Sequence, residues 1–155
     1  MSPAELVPLT MWAPLAIGAG ALVVTIIVHG LAVSATVTLV RDPRALGLAG
    51  AGFWADMIIV ALVVSVAGVA HVLDVGVWAA VFMGCGEFTM FTLAFYHSAV
   101  NYTTLGYGDV IMTPRWRLLG PLEAANGMLM FGVTTAIVFA VMQRRLYARF
   151  ADLRA

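Results

Sequence analysis

Thr103-Thr104-Leu105-Gly106-Tyr107-Gly108-Asp109 is the stretch of sequence from which the fold can be predicted. Its glycines alternate with larger residues, and glycine adopts a positive φ without steric cost. A backbone that alternates hand between neighbours can point successive carbonyl oxygens in one direction, which neither a helix nor a strand can do. Four such segments around one axis would form rings of oxygens that replace the water shell of a dehydrated cation.

The residues around this stretch are those of a membrane protein. An uncharged run, Phe88–Gly108, contains most of it, and a long apolar segment, Arg117–Gln143, follows. The chain is 63% hydrophobic and only 10% charged, whereas soluble domains carry about a quarter charged residues. The charge is balanced and nothing suggests nucleic-acid binding, while the single Cys85 excludes an intrachain disulfide. The sequence therefore predicts an all-α integral membrane protein.

TTLGYGD resembles the selectivity-filter signature of potassium channels, and residues from about Trp78 to Gln143 resemble small bacterial ion channels that have two helices per pore. The resemblance implies passive, selective K⁺ conduction, a prokaryotic plasma-membrane location, and no cofactor other than K⁺ ions in the filter. One filter per chain cannot close a ring, so several chains must form the pore. By resemblance the partners are three further copies, giving a homotetramer in the lipid bilayer.

The hydropathy pattern predicts three transmembrane helices plus a re-entrant pore helix. The first helix, about Trp12–Val40, is additional to the two-helix pore unit. A 15-residue pore helix would be about 22 Å long, too short to cross the bilayer. The predicted segments are an N-terminal helix with its loop (1–52) and a pore domain (53–143), which comprises an outer helix (53–74), a turret (75–87), a pore helix (88–102), the filter (103–109) and an inner helix (115–143). A short basic tail (144–155) ends the chain, and we expect no soluble regulatory domain in it.

The arginines predict the orientation of the chain. With three spans, six arginines lie on one side of the membrane (41, 44, 144, 145, 149 and 154) and two on the other (115 and 117); a fourth span would divide them four and four. The positive-inside rule favours the first arrangement. It predicts an outside N-terminus, an outward-facing filter mouth and a cytoplasmic C-terminus.

The resemblance also implies which residues bind the ion. Backbone carbonyls and one threonine hydroxyl would coordinate K⁺, the glycines would allow the backbone geometry, and the tyrosine would point away from the ion and brace the filter. These residues are Thr104, Leu105, Gly106, Tyr107 and Gly108. Thr103 and Asp109 flank them and are predicted to support the filter.

Two supporting interactions are predicted behind the filter. Relatives often have an aromatic residue where this chain has His97, and that residue donates to the filter aspartate; His97 would then pair with Asp109 and sense external pH. The alternative is a neutral histidine packed among aromatic rings. Glu123 and Asn126 share a helix face and are predicted to form a polar network with Asn101. Alternatively, Glu123 meets headgroup water or Arg117.

Four residues of the inner helix are candidates for gating and for the cavity. Gly127 and Gly132 occupy positions where relatives have hinge glycines, although small residues equally permit close helix contact. At least one of Thr134 and Thr135 is expected to line a water-filled cavity.

Other functions remain as alternatives to a potassium channel. A non-selective cation channel is disfavoured by Gly106-Tyr107-Gly108, since non-selective relatives usually lack the tyrosine. A non-conducting scaffold or regulatory subunit with a pore-like fold is the second alternative. No nucleophile or metal-ligand spacing supports an enzyme.

Overall fold

The computed structural model describes residues 11–41 and 52–152. Four helices occupy this part of the chain: α1 (Trp12–Arg41), α2 (Phe53–Gly84), α3 (Phe91–Tyr102) and α4 (Leu119–Asp152). α1, α2 and α4 contain segments long and apolar enough to cross a membrane. α3 has 12 residues and is about 18 Å long, so it is a short helix of the kind expected for a pore helix. The all-α prediction with three spans is confirmed.

The chain divides into two compact units. Among the described residues, unit 1 comprises 11–26 and 73–129, and unit 2 comprises 27–41, 52–72 and 130–152. Unit 1 contains α3 and the TTLGYGD stretch. Unit 2 has a small apolar core formed by Val40, Ile59, Val63 and Val141. The predicted loop that follows Arg41 and the last three residues of the predicted tail lie outside the described residues.

α2 differs from the prediction because it does not end near residue 74. It has 32 residues and ends at Gly84, so most of the segment predicted as a separate turret (75–87) is the last part of this helix. Asp74 is the last residue of the predicted outer helix, but its carboxylate is fully buried and accepts a hydrogen bond of 2.8 Å from Tyr102 Oη. A buried aspartate with a partner does not end a helix. Gly86, with a φ of +77°, lies just beyond the actual end, where the left-handed conformation terminates helices.

The loop between α2 and α3 is fastened to the segment that follows the TTLGYGD stretch. Both carboxylate oxygens of Glu87 accept hydrogen bonds from Thr113, one from its backbone N–H and one from its hydroxyl. α3 itself begins at Phe91, three residues later than predicted, after an extended Met90. The two ends of the region between α2 and α4 are therefore joined to each other.

α4 begins and ends later than the predicted inner helix. Turns occupy residues 114–118, and the helix starts at Leu119 with Pro121 in its first turn, a position that tolerates proline because the first N–H groups have no helical partner. The helix continues through the basic stretch to Asp152. Within unit 2, Arg145 Nε donates to Asp56 Oδ1 at 2.7 Å, so this part of the predicted tail packs against α2.

Candidate functional site

The TTLGYGD stretch has an alternating backbone. Thr104, Gly106 and Gly108 have φ values of +60°, +59° and +72°, so every second residue is left-handed. The glycines were predicted to allow this geometry. The positive φ of Thr104 was not predicted, and it is strained for a β-branched residue. The stretch forms neither helix nor strand, as the carbonyl argument requires.

The start of the stretch is held by the C-terminal end of α3. The backbone N–H of Thr104 donates to Asn101 O at 2.8 Å, and the N–H groups of Leu105 and Gly106 both donate to Val100 O, at 2.9 and 3.2 Å. The Thr103 hydroxyl donates to Ala99 O at 2.7 Å. These bonds satisfy carbonyls that a helix end otherwise leaves without partners. They also hold the strained backbone of Thr104, since local strain persists only where the surroundings impose it.

Asp109 is held by Tyr96 rather than by the predicted His97. Tyr96 Oη donates to Asp109 Oδ2 at 2.7 Å. This hydrogen bond is the main reason why the pKa of Asp109 lies below its ordinary value, because a bond to the charged form favours that form. Asp109 therefore has an aromatic donor, but this donor lies one position earlier in α3 than the resemblance to potassium channels implied.

His97 is buried among aromatic rings, as the alternative prediction for this residue stated. Its ring packs against Phe82 and Phe88, with centroid distances of 5.3 and 5.0 Å. Its Nε2 lies 2.9 Å from Asn101 Nδ2, and the ring also bonds to the backbone of Val110. Because the amide nitrogen can only donate, Nε2 accepts and Nδ1 carries the proton toward Val110. These contacts suit a neutral imidazole.

Glu123 is fully buried and contacts α3. Ser98 Oγ lies within hydrogen-bond distance of both Glu123 Oε1 and Val75 O of α2, and Asn101 also lies beside this carboxyl group. The Asn101 amide has two hydrogens, enough to serve both His97 and Glu123. The structure thus brings Asn101 and Glu123 together, adds Ser98 and His97, and buries the Glu123 side chain completely.

Asn126, the third member of the predicted network, bonds elsewhere. It is fully buried and contacts Thr25 of α1. Sequence analysis also missed Tyr102, whose hydroxyl donates to Asp74 of α2 and whose side chain is buried. Neither the contact of Asn126 with Thr25 nor that of Tyr102 with Asp74 could be found from sequence spacing, because the two residues of each pair lie far apart in the chain.

Gly127 makes a close helix contact. A Cβ placed on Gly127 would lie 2.0 Å from Tyr102 O, at the C-terminal end of α3, whereas a Cβ on Gly132 would have no neighbour within 4 Å. Two roles were considered for these glycines, a hinge and a close helix contact, and Gly127 has the second. Gly132 has the free space that a hinge needs.

In unit 2, one of the two candidate cavity threonines contacts a side chain of α2. Thr134 Oγ1 lies 3.0 Å from His71 Nε2, and the His71 ring stacks on Phe131 with centroids 4.3 Å apart. Thr135 is exposed, and its hydroxyl donates to Phe131 O at 2.8 Å. Thr135 is therefore the better candidate for a water-facing position.

The comparisons with known proteins identify the family. The model of the ion channel family matches residues 57–144, more than half of the chain, including α3, the TTLGYGD stretch and most of α2 and α4. α1 lies before the matched residues. Searches of curated proteins and of solved structures gave no match. The family comprises channels rather than enzymes, and this chain belongs to the ion channel family.

Proposed function

We propose that the protein is a potassium-selective channel that conducts K⁺ passively through a homotetrameric pore. The observation that carries this proposal is the left-handed backbone at Thr104, Gly106 and Gly108 within a sequence that resembles a potassium filter. Such alternation suits a row of carbonyl oxygens facing an axis, which is how a dehydrated K⁺ ion is coordinated.

Exposure of the filter supports assembly into an oligomer. In the single chain, Leu105 is 54% exposed and Tyr107 is 68% exposed. Irregular backbone at membrane depth is stable only when other protein buries it or when it lines water. Three further copies would supply both conditions, covering the Tyr107 side and leaving a water-filled axis on the carbonyl side.

In this pore each residue of the filter has a distinct role. The carbonyls of Thr104 to Tyr107 and the Thr104 hydroxyl would bind the ion, and Tyr107 would brace the filter against neighbouring helices. The C-terminal end of α3 at Tyr102 carries a partial negative charge, which favours a cation below the filter. We place the filter mouth outside and the C-terminus in the cytoplasm, from the distribution of arginines.

Ion flux into liposomes that contain the purified protein tests this proposal. We expect uptake of K⁺ but not of Na⁺, and we expect Gly106→Asp to abolish it, since a side chain at a φ of +59° disturbs the filter. Gly68→Ala is the control, because Gly68 is helical and an added Cβ would meet nothing within 4 Å. Equal uptake of both ions would indicate a non-selective channel, and a monomer in mild detergent would contradict the pore.

A further inference from the structure

α1 is joined to α4 in unit 1 by a buried pair of polar side chains. Thr25 and Asn126 are both fully buried. Asn126 Nδ2 lies 2.9 Å from Thr25 Oγ1, and Thr25 Oγ1 lies 3.1 Å from Asn126 Oδ1. Because both residues belong to spans that a membrane would surround, water is not available to replace either partner.

The number of hydrogens on the Thr25 hydroxyl determines which residue of the pair donates the hydrogen bond. The Thr25 hydroxyl has one hydrogen and lies 2.8 Å from Leu22 O, so it donates either to that carbonyl or to Asn126. The arrangement that satisfies most groups has Thr25 donating to Leu22 O and accepting from Asn126 Nδ2. Thr25 thereby fixes the rotamer of Asn126 on α4.

Helix α4 is closely packed on two sides at this level. A Cβ placed on Gly18 of α1 would lie 2.7 Å from Leu122 Cδ1 of α4, so the glycine is what allows the contact. On another side of α4, Gly127 packs directly against Tyr102 O. Asn126 is adjacent to Gly127 in the chain.

The same short stretch of α4 also supports α3 by a hydrogen bond. Glu123, one helical turn before Asn126, is hydrogen-bonded to Ser98. Residues 122–127 of α4 therefore contact α1 through Leu122 and Asn126, and contact the helix that carries the filter through Glu123 and Gly127. A shift of α4 at Asn126 would move the support of Tyr102, which immediately precedes the filter.

We infer that α1 acts on the selectivity filter, with Thr25 as a positioning residue that fixes α4 through Asn126 and thereby fixes the C-terminal end of α3. This role rests on the proposed function, and it concerns a helix that the family match does not cover. The channel would then have a third helix that sets how firmly the filter holds its K⁺-binding geometry.

Thr25→Val is the main test, because it keeps the side-chain shape and removes the hydroxyl. Thr38→Val is the matched control on α1, since Thr38 is exposed and its hydroxyl donates to Ser34 O of its own helix. Thr25→Ser is a second control, because it keeps the hydroxyl and removes only the methyl group. The readouts are the ratio of Na⁺ to K⁺ flux in liposomes and the rise in thermal midpoint when K⁺ replaces Na⁺ in the buffer.

We expect Thr25→Val to raise the Na⁺/K⁺ flux ratio about fivefold, the factor that corresponds to loss of a net hydrogen bond of ~1 kcal/mol, and to reduce the K⁺-dependent thermal shift. Thr25→Ser and Thr38→Val should behave as the wild type. If Thr25→Val fails to assemble, the exchanged pair Thr25→Asn with Asn126→Thr provides the test, because it retains a donor and an acceptor at this level.

The outcomes separate this inference from the proposed function. Selective wild-type flux together with an unchanged flux ratio and thermal shift in assembled Thr25→Val overturns the role of α1 and leaves the channel proposal intact. An exchanged pair that assembles but does not retain selectivity also overturns it. A wild type that conducts without selecting K⁺ overturns the proposed function and, with it, this inference.

Discussion

Replacing Gly127 by alanine should damage the filter, whereas the same change at Gly132 should not. A Cβ on Gly127 would lie 2.0 Å from Tyr102 O, 2.9 Å from its carbonyl carbon and 3.3 Å from its Cα. Backbone atoms cannot rotate away as the end of a side chain can. α4 and the end of α3 must therefore separate.

The displacement follows from these distances. Contacts of a Cβ are rarely closer than 3.0 to 3.4 Å, so Tyr102 O must retreat by about 1.0 to 1.4 Å. Overpacking of this kind costs about 1–3 kcal/mol. Gly→Ala in a helix interior otherwise gains about 1 kcal/mol. Gly132→Ala receives this gain without the clash, because an added Cβ there has no neighbour within 4 Å.

The assay compares the two variants for the thermal midpoint of the assembled protein and for K⁺ flux. We expect Gly132→Ala to keep or raise the midpoint. We expect Gly127→Ala to lower it and to reduce K⁺ flux at least tenfold, because Tyr102 immediately precedes the filter. The reasoning fails if Gly127→Ala assembles with normal flux and a midpoint raised as in Gly132→Ala.

Three further changes probe other contacts. Tyr96→Phe removes the hydrogen bond that lowers the pKa of Asp109. In the wild type this bond is present above the ordinary aspartate pKa of ~3.9 and is lost as the pH falls through the lowered pKa. Without the bond Asp109 becomes protonated at a higher pH, so the variant should lose K⁺ flux on external acidification at a higher pH than the wild type, and identical acid profiles would contradict this. Asp56→Asn breaks the ion pair with Arg145 and should lower the thermal midpoint, with the exchange Asp56→Arg and Arg145→Asp restoring it; an unchanged midpoint in Asp56→Asn would show that the pair contributes nothing. Gly106→Ala should lose K⁺ selectivity although an added Cβ meets nothing within 4 Å, because alanine at a positive φ costs roughly 1–2 kcal/mol; a selective variant would show that φ is not what the filter requires.

The sequence predicted the elements that local chemistry determines. α1 was predicted at Trp12–Val40 and occupies Trp12–Arg41, because an uncharged run followed by charged residues and a proline is a local signal. The left-handed glycines 106 and 108 were also predictable, since no other residue adopts a positive φ as readily. Thr104 was not, because its conformation is imposed by the hydrogen bonds at the end of α3.

The predictions failed where the role of a residue depends on a contact with another residue. Asp74 was interpreted as the end of a span, yet it is buried against Tyr102, 28 residues later in the chain. The assignment of His97 to Asp109 missed by one residue, and one residue rotates a side chain by 100° around a helix. Only the packing of α3 decides that Tyr96 faces the aspartate and His97 faces the interior.

The reversal potential across a planar bilayer, with K⁺ on one side and Na⁺ on the other, tests the central claim most directly. Potassium selectivity predicts a potential far from zero, with the sign set by K⁺ leaving its own compartment, and a collapse of this potential in Gly106→Ala. A reversal potential near zero in the wild type would mean that the TTLGYGD backbone does not select K⁺ over Na⁺, and would contradict the account.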